Sequence, residues 1–120
     1  MLIEIDFTSD IPVYMQIRHQ IVVGIGDGRL GVGDSLPTTR QLAKHAGINP
    51  MTVSKAYQLL KAEGFIVIDR RHGARVAPRA QEGDCQEIRE SLKLLVAEAK
   101  IKGIKKEDMV DMIFNMYKED

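Results

Sequence analysis

The 120-residue chain has no tryptophan, one cysteine and only 5% aromatic residues. A lone thiol, Cys85, closes no internal disulfide, so nothing in the fold demands an oxidising compartment. No apolar run approaches bilayer length, and the N-terminus lacks the basic and apolar regions of a secretory signal. The expectation is a soluble cytoplasmic protein with no membrane association. Metal-ligand spacing is missing too. His19, His45 and His72 fall on three separate elements, and neither H-E-x-x-H nor C-x-x-C occurs. No paired carboxylates or nucleophile–base arrangement stands out, and Cys85 has no nearby partner of a nucleophilic kind. Asp108 and Asp111 share a helix face with Lys105, which a solvated charge pattern explains. The expectation is therefore a protein that is not an enzyme and takes neither metal nor cofactor.

Net charge is missing as well: 17 basic residues balance 17 acids. That excludes an extended polybasic tail, but a balanced total conceals segregation. Between Arg40 and Arg75 stand Arg40, Lys44, Lys55, Lys61, Arg70, Arg71 and Arg75 against only Glu63 and Asp69. From Pro78 onward eight basic residues meet ten acids. The middle of the chain is positive and the tail mildly negative.

What is present is a hydrophobic content of 44%, enough for a core, in a length that suits one domain and a short appendage. MLIEIDF alternates Ile3, Ile5 and Phe7 with acids, the period of a short strand or extended arm. Ser9 or Asp10 is a candidate cap, and Pro12 suits a first helical turn. Val13, Ile17, Ile21 and Ile25 then recur every fourth residue, which predicts an amphipathic helix over roughly residues 11–27. GIGDGRLGVGDSLP breaks it. Gly26, Gly28 and Gly31 spell a literal G-x-G-x-x-G, but a helix precedes them and residues 46–54 hold no acid, so the dinucleotide reading gives way to a tight inter-helix loop.

TTRQLAKHAG predicts a short helix with Leu42, Ala43 and Ala46 inward, closed by Gly47. Asn49 caps the next helix, Pro50 takes its first turn and Gly64 ends it. Short helix, turn with glycine, longer helix is helix-turn-helix spacing. Phe65–Ile68 and Ala74–Ala77 flank a basic turn containing Gly73, a hairpin signal directly after the second helix, in other words a wing. After a polar linker, Asp84 and Glu87 suggest a capping box. Ile88, Leu92, Leu95 and Ala99 mark one face of a helix that Gly103 stops. A last helix, roughly residues 105–118, carries an apolar arc too wide for a single neighbour.

On a wheel of 100° per residue, Val53, Ala56, Tyr57 and Leu60 share the inward face of the 50–63 helix. Met51, Lys55 and Gln58 lie opposite, with Thr52 and Ser54 on the flanks. The outward face near its start is short, polar or flexible, with one cation and no acid. A major groove asks for such a face: short side chains let the backbone approach, Ser and Thr reach any base edge, Asn suits adenine, and a thioether touches the thymine methyl. The helix N-terminus adds free N–H groups for phosphate. Arg40 lies about one helical turn into the preceding helix, and Arg70, Arg71, His72 and Arg75 crowd the wing, as phosphate binding requires.

The stretch LPTTRQLAKHAGINPMTVSKAYQLLKAEGFIVIDRRHGARV resembles the GntR family of bacterial winged helix-turn-helix regulators. The likeness rests on Leu36-Pro37 with Arg40, Leu42-Ala43, Gly47-Ile48, Thr52-Val53, Ala56-Tyr57, Leu60, Glu63-Gly64 and the glycine wing, with IPVYMQI resembling that family's first helix. It implies a mainly α fold with a small β wing: a DNA-binding domain over residues 1–77. Implied contacts fall on Arg40, on Asn49 through Ser54, and on His72 and Gly73. Pro50 and Ser54 stand where many members carry basic residues, which leaves base readout to Lys55 or Met51. The full candidate contact set is Thr38, Thr39, Arg40, Asn49, Met51, Thr52, Ser54, Lys55, Arg70, Arg71, His72, Gly73 and Arg75. Forty-three residues follow the wing (120 − 77), too few for an ordinary closed ligand pocket. The tail over residues 78–120 resembles that of the short YtrA-type subfamily, which implies dimerisation through Ile88, Leu92, Leu95, Ala99, Met109, Ile113, Met116 and Tyr117. The expected function is a homodimeric repressor on an inverted-repeat operator of double-stranded DNA. The alternative is a winged-helix module that binds protein instead.

Overall fold

The structure is a computed structural model that describes residues 3–79 and 85–118. The capping role expected of Asp84, the linker residues 80–84 and the first two residues of the arm lie outside them. Five helices and one hairpin follow in order: α1 Val13–Gly26, α2 Thr39–Ala46, α3 Pro50–Ala62, β1 Ile66–Asp69, β2 Gly73–Val76, α4 Cys85–Ile101 and α5 Lys106–Lys118. This is the mainly α architecture with a two-stranded wing. Two compact units divide the chain, Met1–Arg79 and Ala80–Asp120.

The core of the first unit forms where the apolar stripes of three helices meet. Ile17 and Ile21 of α1 are fully buried, as are Val53, Ala56 and Leu60 of α3, with Leu42 and Ala43 of α2 closing the side. Ile66 and Val76 carry the core into the hairpin. That hairpin is antiparallel and pairs Ile66 with Val76 and Asp69 with Gly73, so β1 begins one residue later and β2 one residue earlier than the apolar runs predict. The shift places Ile66, Ala74 and Val76 inward and leaves Val67 exposed.

Three local expectations are refined or corrected. Of the two readings of the arm, the extended one holds: its described residues form no strand, Ile3 is buried and Phe7 is 66% exposed. Two glutamines of α1 take the place of a neighbouring strand. Gln20 bonds both the N–H and the carbonyl of Glu4, and Gln16 does the same for Asp6. Pro12, not Ser9 or Asp10, occupies the N-cap of α1 and supplies no capping side chain, while the Ser9 hydroxyl accepts from the N–H of Ile11. The glycine-rich loop is more than a connection. Gly33 and Leu36 donate to the carbonyls of Val76 and Ala74, and Val76 donates back to Asp34, so the loop lies against β2.

In the second unit, α4 ends in a turn at Gly103, whose φ is +76°, with Ile104 donating back to Ala99. Leu92, Val96 and Ala99 of α4 line one groove with Met109, Val110 and Ile113 of α5.

Candidate nucleic-acid interface

Three caps fix the ends of α2 and the start of α3. Thr38 and Gln41 form a reciprocal capping box at the start of α2: the Thr38 hydroxyl accepts from the Gln41 N–H at 3.1 Å, and the Gln41 side chain accepts from the Thr38 N–H at 2.9 Å. Gly47 closes α2 in the left-handed region, with φ of +71°, where only glycine sits without strain. Asn49 then caps α3, its side-chain oxygen Oδ1 accepting from the Met51 N–H at 2.8 Å. The Tyr57 hydroxyl donates to the Pro37 carbonyl at 2.7 Å and ties the approach to α2 onto α3. Burial pushes the Tyr57 phenol upward, so it stays a neutral donor.

This frame sets what α3 shows to solvent. Met51 is 78% exposed, Lys55 and Gln58 are exposed, and Thr52 and Ser54 are half-buried on the flanks. The inward face is Val53, Ala56, Tyr57 and Leu60, as the spacing predicts. The caps restrict two candidates. Asn49 commits one lone pair of its side-chain oxygen to the helix, so a bidentate adenine contact has to share that oxygen with the cap. Thr38 likewise commits one hydroxyl lone pair to its cap and keeps its hydrogen and the other lone pair.

The cations differ in their freedom. Arg40 is the second residue of α2, in its first turn and not one turn in; it is exposed next to half-buried Thr39. Arg40, Arg70 and Arg71 enter no salt bridge among the described residues. Arg75 does: its guanidinium lies 3.5 Å from Asp69 Oδ2, and its buried Nε has no hydrogen-bond partner. Asp69 organises the whole wing tip. It accepts from the backbone N–H groups of His72 and Arg71, with His72 Nδ1 3.3 Å from Oδ1. The His72 N–H, foremost, holds the Asp69 carboxyl below the usual carboxylate range. Gly73 follows with φ of +69°, where the hairpin turns back.

Lys55 is placed by a residue that the spacing does not mark. Its Nζ lies 4.0 Å from the centroid of the Tyr14 ring on α1. Pro12, Val13, Tyr14, Met51, Thr52 and Lys55 line a shallow groove between the starts of α1 and α3. Tyr14 was illegible because it acts across elements, as does Asp69 in its contact with Arg75 on β2, whereas the bonds of Asp69 to the Arg71 and His72 N–H groups are local. The Thr38–Gln41 box, by contrast, carries a T-x-x-Q signature that a closer reading of the sequence finds.

In the second unit the nominated apolar residues divide. Ala99 is buried within its own chain, and Leu92, Met109 and Ile113 face the groove between α4 and α5. Ile88, Leu95, Met116 and Tyr117 stay largely exposed, joined by Leu94, Ile101 and Phe114. No group of His, Cys, Asp and Glu suited to a metal occurs among the described residues.

The family described as bacterial regulatory proteins, gntR family, matches residues 13–76. Among curated relatives, the HTH-type transcriptional repressor YtrA of Bacillus subtilis is 37% identical over 116 residues, covering 93% of this chain and 89% of its own. Among solved structures, YtrA from Sulfolobus acidocaldarius, a GntR-family transcription factor, superposes with a TM-score of 0.69 at 37% identity over 84% of this chain and 99% of that one. AraR(DBD) in complex with operator ORX1 superposes with a TM-score of 0.55 at 25% identity, over 61% of this chain and 90% of that one.

Proposed function

Because this chain belongs to the GntR family of bacterial regulatory proteins, we propose that it acts as a homodimeric repressor on an inverted-repeat operator. It is a winged-helix transcriptional regulator and not an enzyme. The observation that carries the finer reading is the outward face of α3: exposed Met51 and Lys55, flanking Thr52 and Ser54, and no acid, directly behind a cap that leaves the helix start open.

In this reading Met51, Thr52 and Ser54 meet base edges, with Asn49 donating through its amide. Thr38, Thr39 and Arg40 meet one strand from the start of α2, and Arg70, Arg71 and His72 grip the other from the wing. Gly73 shapes the wing tip, and Arg75, tied to Asp69, stiffens it. The YtrA relative is named a repressor, which supports the sign of regulation. The exposed apolar side chains of α4 and α5 support self-association, since a patch of that kind asks for cover. A dimer sets the half-sites about one helical turn or a small multiple apart. The site of action is the cytoplasm, in keeping with a described chain in which no helix is long and apolar enough to cross a membrane.

The test is a binding titration with duplex from upstream of the protein's own reading frame, against random duplex at moderate salt. Preference for the upstream duplex, falling steeply as salt rises, is the expected result. Equal affinity for both overturns the operator reading.

A further inference from the structure

Lysine on an exposed helix face ordinarily sweeps a wide cone, because four rotatable bonds separate its ammonium from the backbone. Lys55 is drawn to one side of that cone. Its Nζ stands 4.0 Å from the centre of the Tyr14 ring, well inside the range of cation–π attraction. Tyr14 is half-buried and packs against the core, so the ring is a fixed platform and the ammonium is the part that adapts. Lys55 enters no salt bridge among the described residues. The distinction matters chemically. A carboxylate partner would cancel the charge that a phosphate needs, whereas a neutral aromatic face orients the cation and leaves it whole.

The direction of that pull matters too. Reading a base edge requires an ammonium carried ahead of α3, into the floor of the groove. Over Tyr14 it leans sideways, toward the start of α1, along the groove lined by Pro12, Val13, Met51 and Thr52. For a helix seated in a major groove about 12 Å wide, the sides of the helix face the phosphate walls. The first turn of α1 contributes no acid there to repel a phosphate. A compact point charge with no fixed donor geometry also suits phosphate better than it suits a particular base.

We propose that Tyr14 is a positioning residue that sets Lys55 as a backbone-phosphate anchor beside the recognition helix, not as a base reader. This rests on the DNA-binding reading above. The experiment titrates the full chain and its Lys55→Met, Tyr14→Leu, Tyr14→Phe and Tyr14→Leu/Lys55→Met variants with the upstream duplex and with random duplex, over a salt series. Lys55→Met is expected to weaken both duplexes by one common factor and to lower the salt slope by about one. Tyr14→Leu is expected to weaken both about two- to fivefold, the range of an exposed cation–π contact. That loss should vanish in the Lys55→Met background, and Tyr14→Phe should bind as the parent does. A Tyr14→pentafluorophenylalanine variant keeps the ring's volume and reverses its face charge; matching the Tyr14→Leu loss with an unchanged melting temperature separates charge from packing. Three results overturn the proposal: Lys55→Met erasing discrimination between the duplexes, a Tyr14→Leu loss that persists without Lys55, or a Tyr14→Phe loss equal to that of Tyr14→Leu. If the parent protein does not distinguish the duplexes, the operator reading falls, while the Tyr14–Lys55 coupling is still decided on random duplex.

Discussion

Arg18 and Glu63 form a two-pronged pair, Nε to Oε1 at 2.9 Å and Nη2 to Oε2 at 2.8 Å, with the guanidinium 5.6 Å above the Phe65 ring. The pair joins the middle of α1 to the end of α3. Arg18, by its hydrogen bond first, holds the Glu63 carboxyl below its ordinary value of 4.5. A depressed folded value contributes stability that is present above the ordinary one and is lost as pH falls through the folded one. Both side chains remain partly in water, so solvent screening limits the effect to below about 1 kcal/mol. Glu63→Gln is therefore expected to cost a few tenths of a kcal/mol at neutral pH, and the difference from the parent should close well below pH 4.5, followed by urea unfolding at each pH. Tyr57→Phe behaves otherwise. It strands the Pro37 carbonyl and is expected to cost about 1 kcal/mol or somewhat more, the same at every pH from 5 to 9. A cost that shrinks toward alkaline pH would show that the hydroxyl loses its proton in that range.

At the scale of elements, two glycines hold the interface in shape by backbone alone. A Cβ at Gly47 or Gly73 meets nothing within 4 Å, so what alanine costs there is the left-handed backbone and not a clash. Each substitution is expected to cost about 1–2 kcal/mol locally. The consequences diverge. Gly47→Ala strains the turn that sets α2 against α3 and should lower the melting temperature. Gly73→Ala strains only the hairpin tip, so calorimetry should record a small shift while DNA affinity falls several-fold through the wing. Equal thermal shifts for the two would contradict the local role given to the wing. Both turns were legible, since Gly after a helical stripe and Gly inside a basic turn are direct backbone signals. The attachment of residues 33–36 to β2 was not, because those hydrogen bonds run through the backbone and leave no side-chain pattern.

For the whole molecule, the second unit leaves Ile101 at 86% exposure, Tyr117 at 77% and Phe114 at 66% in the single chain. In the proposed dimer such side chains find cover against a second copy, which would complete a two-fold reader for an inverted repeat. Phe114→Glu with Met116→Glu alters only exposed positions of α5, so the fold should persist. Sedimentation should then show a dimer becoming monomer, and operator affinity should fall more than random-duplex affinity. A variant that stays dimeric moves the contact to another face. The sequence marked this arc by its width but did not separate the side chains that α4 and α5 use on each other, such as Ala99 and Ile113, from those left over. That division depends on how the two helices lie together.

The sequence by itself determined the helices, their caps at Gly47 and Asn49, the wing, the inward set Val53, Ala56, Tyr57 and Leu60, and membership of a regulator family. Those features are written in spacing and in residues whose backbone preferences are local. Only the tertiary structure decided that Gln16 and Gln20 stand in for a strand beside the arm, that Asp69 gathers the wing tip and engages Arg75, and that Tyr14 holds Lys55. Each joins side chains to partners on another turn or element, and such contacts depend on distances in space that no periodicity along the chain encodes.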